Sequence, residues 1–226
     1  MSQLIDMFIE PAKAWQQQKE RPTFLLPALL IALATALPAV VYFLQVDPEW
    51  FSNYQLQAMA QEMTSAEIEQ AKAFMPGART TAWITGISSL VMIVIVFAIM
   101  AAYYLLAGKV AGHAVSYRHG LSLSAWSSVP LLLAGIVVLF GIFTSSPQTP
   151  YTSLQLLNVD PLLVDLPLDH PWSTLAKSFS LLNFWVWFLA ALGWKTWFRS
   201  GWGQAIFVVL LPSLVIYGVM ALFAIL

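Results

Sequence analysis

Long apolar runs and short polar links alternate along this chain, and the two most prominent runs lie in its middle. Arg79 and Lys109 enclose 29 residues without an Asp, Glu, Lys or Arg, and 41 more follow from His119 to Val159. A helix of about 20 apolar residues, rising about 1.5 Å per residue, crosses the hydrocarbon core of a bilayer. The pattern therefore predicts membrane-spanning helices joined by the short basic link Gly108–Gly120.

Three further apolar runs complete the predicted architecture. We predict an all-α, polytopic integral membrane protein, a bundle of five transmembrane helices with an amphipathic helix at its N-terminus. The predicted spans cover residues 23–45, 81–107, 124–143, 174–197 and 203–226. They form one membrane domain, 23–226, with an outer helical segment at 46–79 and an outer connector at 144–173.

The cytoplasmic segment 1–22 precedes the first predicted span and has an amphipathic pattern. Apolar side chains between Leu4 and Trp15 recur on one arc of a helix, while Asp6 and Lys13 fall on the other. Pro11 suits the first turn of a second helix, because no N–H is needed there. We predict that the segment lies in the membrane interface. Packing against the spans is the alternative.

Composition indicates lipid rather than water as the main solvent. Apolar residues make up 59% of the chain and charged residues 9%, whereas soluble domains carry about 25% charged residues. The formal net charge of −1 argues against a nucleic-acid partner. Cysteine is absent, which excludes disulfides and thiolate chemistry.

Basic residues are unevenly divided between the links. Seven of the ten flank the N-terminal segment, the link Gly108–Leu123 and the link Phe198–Trp202, and three flank the other links. Short links rich in Lys and Arg stay in the cytoplasm. The bias predicts a cytoplasmic N-terminus and a C-terminus outside.

The sequence offers little catalytic chemistry. No predicted span has an Asp, Glu or Arg in its middle, which argues against a proton-coupled transporter or a channel with a charged filter. Nucleophile-elbow, phosphate-loop and HExxH motifs are absent. His113 and His119 lie beside Lys109 and Arg118, and nearby cations disfavour a metal ion. We predict no catalytic residue, no metal ligand and no cofactor, and hence no enzyme.

Two sets of residues are candidates for binding. The first is expected to face a partner or lipid headgroups at the cytoplasmic surface, and comprises Trp15, Lys109, His113, Arg118, His119, Trp126 and Pro130. The second is expected to line a polar groove within the membrane, and comprises Thr85, Ser88, Ser89 and Asn183. For the first set, the alternative is that the cations only fix the orientation of the chain in the membrane. For the second set, the alternative is that the hydroxyls serve ordinary helix packing.

Several stretches together resemble the Yip family (Ypt-interacting proteins) in its short bacterial form. They are Pro11-Ala-Lys-Ala-Trp15 followed by Pro22, the Tyr103–Gly108 exit of the second span, Ser124-Ala-Trp-Ser-Ser-Val-Pro130, and the close-set final spans around Trp194–Trp202. Order and spacing extend the similarity over most of the chain. The resemblance implies five spans, a cytosolic N-terminus and a place in the bacterial inner (cytoplasmic) membrane.

The resemblance also implies a role. Eukaryotic members engage Rab/Ypt GTPases and act in membrane traffic. In this chain only about 22 residues precede the first span, so a long cytosolic arm is missing and GTPase binding is not expected. We expect a non-enzymatic scaffold or adaptor, or a role in membrane organisation, with membrane lipids, a membrane-protein partner or a second copy as partners. The alternative is a transporter or scramblase for a lipid or small neutral solute.

Overall fold

Helices provide almost all the regular structure of the protein. The computed structural model describes residues 3–59, 64–167 and 169–226. Over this part of the chain, the isolated bridge between Asn158 and Ser180 is the one β contact. The all-α prediction is confirmed for these residues.

The α-helices of the described residues range from single turns to a helix of 33 residues. In chain order they are α1 Gln3–Ile9, α2 Pro11–Glu20, α3 Leu25–Gln45, α4 Pro48–Met59, α5 Ser65–Phe74, α6 Ala78–Val110, α7 Tyr117–Ser127, α8 Leu132–Thr144, α9 Val159–Leu162, α10 Ser173–Ser178, α11 Leu182–Phe198 and α12 Trp202–Ile225.

The N-terminal helices α1 and α2 pack on the bundle. Pro11 opens α2, where its missing N–H costs no hydrogen bond. Met7 and Trp15 are 1% and 0% exposed, whereas Ile5 and Ile9, on the predicted apolar arc, are 46% and 65% exposed. Trp15 therefore packs against the bundle, as the alternative to an interfacial position predicted, while Ile5 and Ile9 remain on the outer side of these helices.

Four stretches of the described chain are long and apolar enough to cross a membrane. They are α3, α6, the α7–α8 stretch from Tyr117 to Thr144, and α12. The prediction of several membrane-spanning helices is confirmed to this extent, and the predicted number of five is not.

The third predicted span, 124–143, is interrupted. Helix α7 ends at Ser127, a 3₁₀ turn covers Val129–Leu131, and α8 begins at Leu132. Pro130 lies in this turn and has no N–H to continue the helical hydrogen bonds. Helix α7 has 11 residues and rises about 16 Å, so the interruption lies near the middle of the candidate membrane-spanning stretch Tyr117–Thr144.

The fourth predicted span, 174–197, is divided between α10 and α11. The break around Ser180 is stabilised by a distant segment, because the Leu181 N–H and the Ser180 hydroxyl both donate to the Leu157 carbonyl, over 2.8 and 3.1 Å. Helix α11 is left with 17 residues. The periodicity of the sequence does not predict this break, because the break depends on a contact with a residue more than 20 positions away.

Small residues let helices approach closely. A Cβ on Gly120 of α7 would lie 2.6 Å from the backbone oxygen of Ala101 in α6. A Cβ on Gly135 of α8 would collide with the backbone of Ala34 in α3. These glycines bring backbones into contact, as is common between membrane helices.

The N-terminal helices meet two later segments at one end of the bundle, which we call the basic end. His119, at the start of α7, contacts the Lys19 carbonyl at the end of α2 over 3.1 Å. His113, in the link between α6 and α7, stacks on Phe198 at the end of α11 with ring centroids 4.6 Å apart. The basic end thus gathers α2, the α6–α7 link and the α11–α12 turn.

The outer segment and the connector meet at the opposite end. The Asp47 N–H donates to the Pro147 carbonyl over 3.0 Å, and the Tyr42 hydroxyl donates to the Thr149 carbonyl over 2.9 Å. In the outer segment, Thr64 and Glu67 form the capping box that opens α5.

Candidate functional site

Three members of the predicted contact set are buried inside the bundle. Trp15, Trp126 and Pro130 are all less than 2% exposed. The Trp126 indole donates to the Thr23 carbonyl over 2.8 Å, which ties α7 to the start of the first span. These three side chains therefore build the interior of the chain and present no surface to a partner.

Gln18 is a buried polar centre that the predicted contact set does not contain. Its Oε1 accepts hydrogen bonds from the Thr23 N–H at 2.8 Å and the Ser122 hydroxyl at 2.9 Å. Its Nε2 donates to the Thr23 hydroxyl at 2.9 Å and to Gln3 Oε1 at 3.2 Å. One helical signal points to it, since Gln18 follows Trp15 by three residues and so shares its face.

His119 joins α2 to α7. Its Nδ1 lies 2.6 Å from the Ser116 hydroxyl, and its Nε2 lies 3.1 Å from the Lys19 carbonyl. Because a carbonyl only accepts, Nε2 carries the proton and Nδ1 accepts from Ser116 in the neutral ring. The ring also meets Trp197 edge-on, with centroids 5.5 Å apart. Both ring nitrogens and one ring edge of His119 are therefore used in contacts within the chain.

His113 is also engaged within the chain. It stacks on Phe198, and its Nε2 is buried without a hydrogen-bond partner among the described residues. Lys109 and Arg118 are exposed, and they are the members of the predicted set that a partner can reach freely.

Three more exposed cations lie at the basic end together with Lys109 and Arg118. We call the five residues the basic rim: Lys19, Arg21, Lys109, Arg118 and Arg199. Within the described chain no member of the rim forms an ion pair, since the salt bridge found there joins Lys13 to Glu10. The rim is therefore a solvent-facing positive surface.

The structure does not bring the predicted groove residues together. Thr85, Ser88 and Ser89 of α6 line a shallow cavity against Thr35 of α3. Asn183 lies elsewhere, where its Nδ2 donates to the Tyr217 hydroxyl over 2.9 Å. The helical periodicity of α6 correctly placed Thr85, Ser88 and Ser89 near one another. It does not tell which helices are neighbours, so it could not place Asn183.

Asn183 instead lines two other cavities. The inner cavity, of about 180 Å³, lies between α6, α7, α11 and α12, and its polar lining comprises Ser124, Ser127, Ser128, Asn183, Ser213 and the two tyrosines Tyr104 and Tyr217. The outer cavity, of about 340 Å³, lies between α3, α8 and the connector, and its polar lining includes Thr35, Gln155, Asn158, Ser178, Ser180 and Asn183. None of the described residues that line either cavity is charged.

No metal centre accompanies these cavities in the part of the chain that the structure describes. There, no group of three or more His, Asp or Glu side chains is placed to hold a metal ion.

Comparison with known proteins gives a family and a relative. The family model of the Yip1 domain matches residues 5–223. The chain is similar to "Membrane protein YknW" of Bacillus subtilis (strain 168), with 25% identity over 230 residues that cover 98% of this chain and 87% of that protein. No solved structure matches the chain.

Proposed function

The chain belongs to the Yip1-domain family, whose model matches residues 5–223, and on that premise we propose a non-enzymatic membrane scaffold or adaptor. Its binding surface is the basic rim. The family description and that of the Bacillus relative name a domain and a membrane protein, and neither names a catalytic activity. The observation that carries the proposal is the exposed, unpaired charge of the rim beside a tightly packed interior.

In this proposal α11 is a fifth crossing. Its 17 residues rise about 26 Å, which a bilayer accommodates by thinning locally. Contacts at its two ends support this interpretation. Leu181, just before α11, bonds to Leu157 of the connector, and Phe198, at its end, stacks on His113 at the basic end.

The proposed orientation puts the basic end in the cytoplasm of a bacterial cell and the connector in the periplasm. Lys and Arg in short links resist transfer across the inner membrane, which supports this orientation. The N-terminus is then cytoplasmic and the C-terminus periplasmic.

The rim is suited to negatively charged partners. Cations next to a membrane attract anionic lipid headgroups, at about 1 kcal/mol for each Lys or Arg near the surface. They also steer acidic surfaces of protein partners. A scaffold with this surface would hold a membrane-protein partner, or a second copy, against anionic lipid.

Co-purification from native nanodiscs tests the proposal, with mass spectrometry of the captured proteins and lipids. The variant Lys109→Glu with Arg118→Glu should lose the captured partner and the enrichment in anionic lipid. The matched control is Lys72→Glu with Arg79→Glu, which makes the same charge change in the outer segment. Identical capture by both double variants and the unaltered chain would contradict the proposal.

A second function, transport or scrambling of a lipid or small neutral solute, is favoured by the two uncharged cavities. Asn183 lines both cavities and presents a polar side chain to them. Vesicles reconstituted with the protein should then exchange fluorescent lipid between leaflets, or take up small neutral solutes, faster than empty vesicles. Rates equal to those of empty vesicles, for the lipid and for the solutes alike, would exclude this function.

A further inference from the structure

The inner cavity lies where the backbone of the candidate membrane-spanning stretch Tyr117–Thr144 is interrupted. Ser127 and Ser128 line it, and they belong to the junction between α7 and α8. Irregular backbone at membrane depth occurs only where it is buried in protein or lines a cavity. In membrane transporters, interrupted helices of this kind form ligand sites near the midplane. The junction is therefore a site at which a ligand can meet polar groups within the bilayer.

The groups around this cavity offer both donors and acceptors. The Ser127 and Ser128 hydroxyls donate to the Ser124 carbonyl, at 3.1 and 2.8 Å, which leaves their oxygen lone pairs free to accept. The Tyr217 hydroxyl accepts from Asn183, so its own hydrogen remains available to donate. A ligand with hydroxyl hydrogens and carbonyl oxygens matches this arrangement.

Charge narrows the class of ligand. No described residue of the lining carries a charge, and an ionised phosphate moved there would lose its hydration without gaining a cation. A neutral group with ester carbonyls and a hydroxyl loses less, because the serine and tyrosine hydroxyls replace its hydrogen bonds with water. The cavity therefore favours an uncharged polar group over a phosphorylated one.

The cavity has a side on which acyl chains can leave. Near the basic end, the Tyr103 hydroxyl of α6 donates to the Val208 carbonyl of α12 and holds these helices together. Farther along α6, Val96 is 42% exposed and still lines the cavity. The lining thus reaches the lipid-facing surface of the bundle between α6 and α12.

We propose that the inner cavity binds a neutral glycerolipid of the diacylglycerol class. Its hydroxyl and ester groups lie among the hydroxyls of Ser127, Ser128 and Tyr217, and its acyl chains leave past Val96. The proposal goes beyond the scaffold function, and it does not require the bound lipid to be moved across the membrane.

Photolabelling tests the site directly. The whole protein, in nanodiscs of phosphatidylethanolamine and phosphatidylglycerol, is exposed to diacylglycerol that carries a diazirine on an acyl chain. Peptides of α6 and α12 should be labelled, and unlabelled diacylglycerol should suppress the labelling. If added phosphatidylglycerol suppresses it equally well, the cavity does not select an uncharged headgroup and the proposal is wrong.

Two variants locate the effect. Val96→Trp fills the opening of the cavity and should abolish the suppressible labelling, while the control Val94→Trp, at a lipid-facing position 67% exposed, should preserve it. Tyr217→Phe removes one hydrogen-bond donor and should weaken competition by diacylglycerol about tenfold. Equal labelling of Val96→Trp and Val94→Trp would overturn the proposal, as would unchanged competition in Tyr217→Phe. Partner capture at the basic rim should be unaltered in all three.

Discussion

The indole N–H of Trp197 donates a hydrogen bond of 2.7 Å to the backbone carbonyl of Trp15, across 182 residues of sequence. The two rings also meet edge to face, with centroids 5.4 Å apart. Edge-to-face pairs of this kind add about 0.5–1.5 kcal/mol to the burial of the rings. The N-terminal helices are therefore a fixed part of the bundle, and the pair fastens α2 to the end of α11.

Trp15→Ala should lower the free energy of unfolding by about 3–5 kcal/mol, because it leaves a large cavity against Trp197. Denaturant unfolding in detergent micelles, followed by tryptophan fluorescence, measures the change. The control is Trp83→Ala, since Trp83 is 57% exposed and should matter much less. Equal losses at both positions would mean that Trp15 does not fasten the N-terminal helices.

Gln18→Leu should lower the free energy of unfolding by about 1–3 kcal/mol for each buried group that it leaves without a partner. The Ser122 hydroxyl, 0% exposed, is the buried group that loses its acceptor in this variant, and the Thr23 N–H, which belongs to an exposed residue, adds less. Gln17→Leu is a matched control, because Gln17 is exposed on the same helix. Unfolding curves that coincide for the two variants would show that the buried amide is dispensable.

The stretches that carry the family resemblance have a physical explanation in the structure. Trp15, Trp126, Trp194 and Trp197 belong to one buried cluster that joins α2, α7 and α11. The prediction that Trp15 and Trp126 are surface residues is wrong, because both side chains are buried. The sequence suggested a surface position because an aromatic ring beside cations is also typical of a membrane interface. Burial depends on which helices are neighbours, and hydropathy does not report that.

Hydropathy and spacing did predict the features that depend on local composition. The long charge-free run before Lys109 became α6, and the spacing of Thr64 and Glu67 became a capping box. The division between α10 and α11 was not predicted, because it depends on Leu157, more than 20 residues away from the break. Asn183 was grouped with α6 residues for the same reason, since polarity alone does not tell which cavity a side chain lines.

Asp47 should titrate below the usual range of an aspartate. The Trp50 N–H, the Gln148 side chain and the Glu49 N–H donate to its carboxylate and lower its pKa. The contribution of Asp47 to stability is then present above about pH 3.9 and is lost as the pH falls through the lowered pKa.

Carbon-13 NMR of aspartate-labelled protein in nanodiscs measures this titration, and Asp47→Asn assigns the signal. In Gln148→Ala the midpoint should rise towards the ordinary value, because one donor is removed. A midpoint at or above the ordinary aspartate pKa would contradict the three hydrogen bonds to the Asp47 carboxylate, and a midpoint unchanged in Gln148→Ala would contradict its contact with the connector.

Single cysteines should report the orientation and the number of crossings, because the natural chain has no cysteine to remove. A membrane-impermeant maleimide added outside intact spheroplasts should label Gln148→Cys in the connector and leave Val110→Cys at the basic end unlabelled until the membrane is permeabilised. With α11 as a fifth crossing, a cysteine added after Leu226 should be labelled from outside. If that cysteine is protected while Gln148→Cys is labelled, α11 does not cross, because an even number of crossings would return the C-terminus to the side of the basic end.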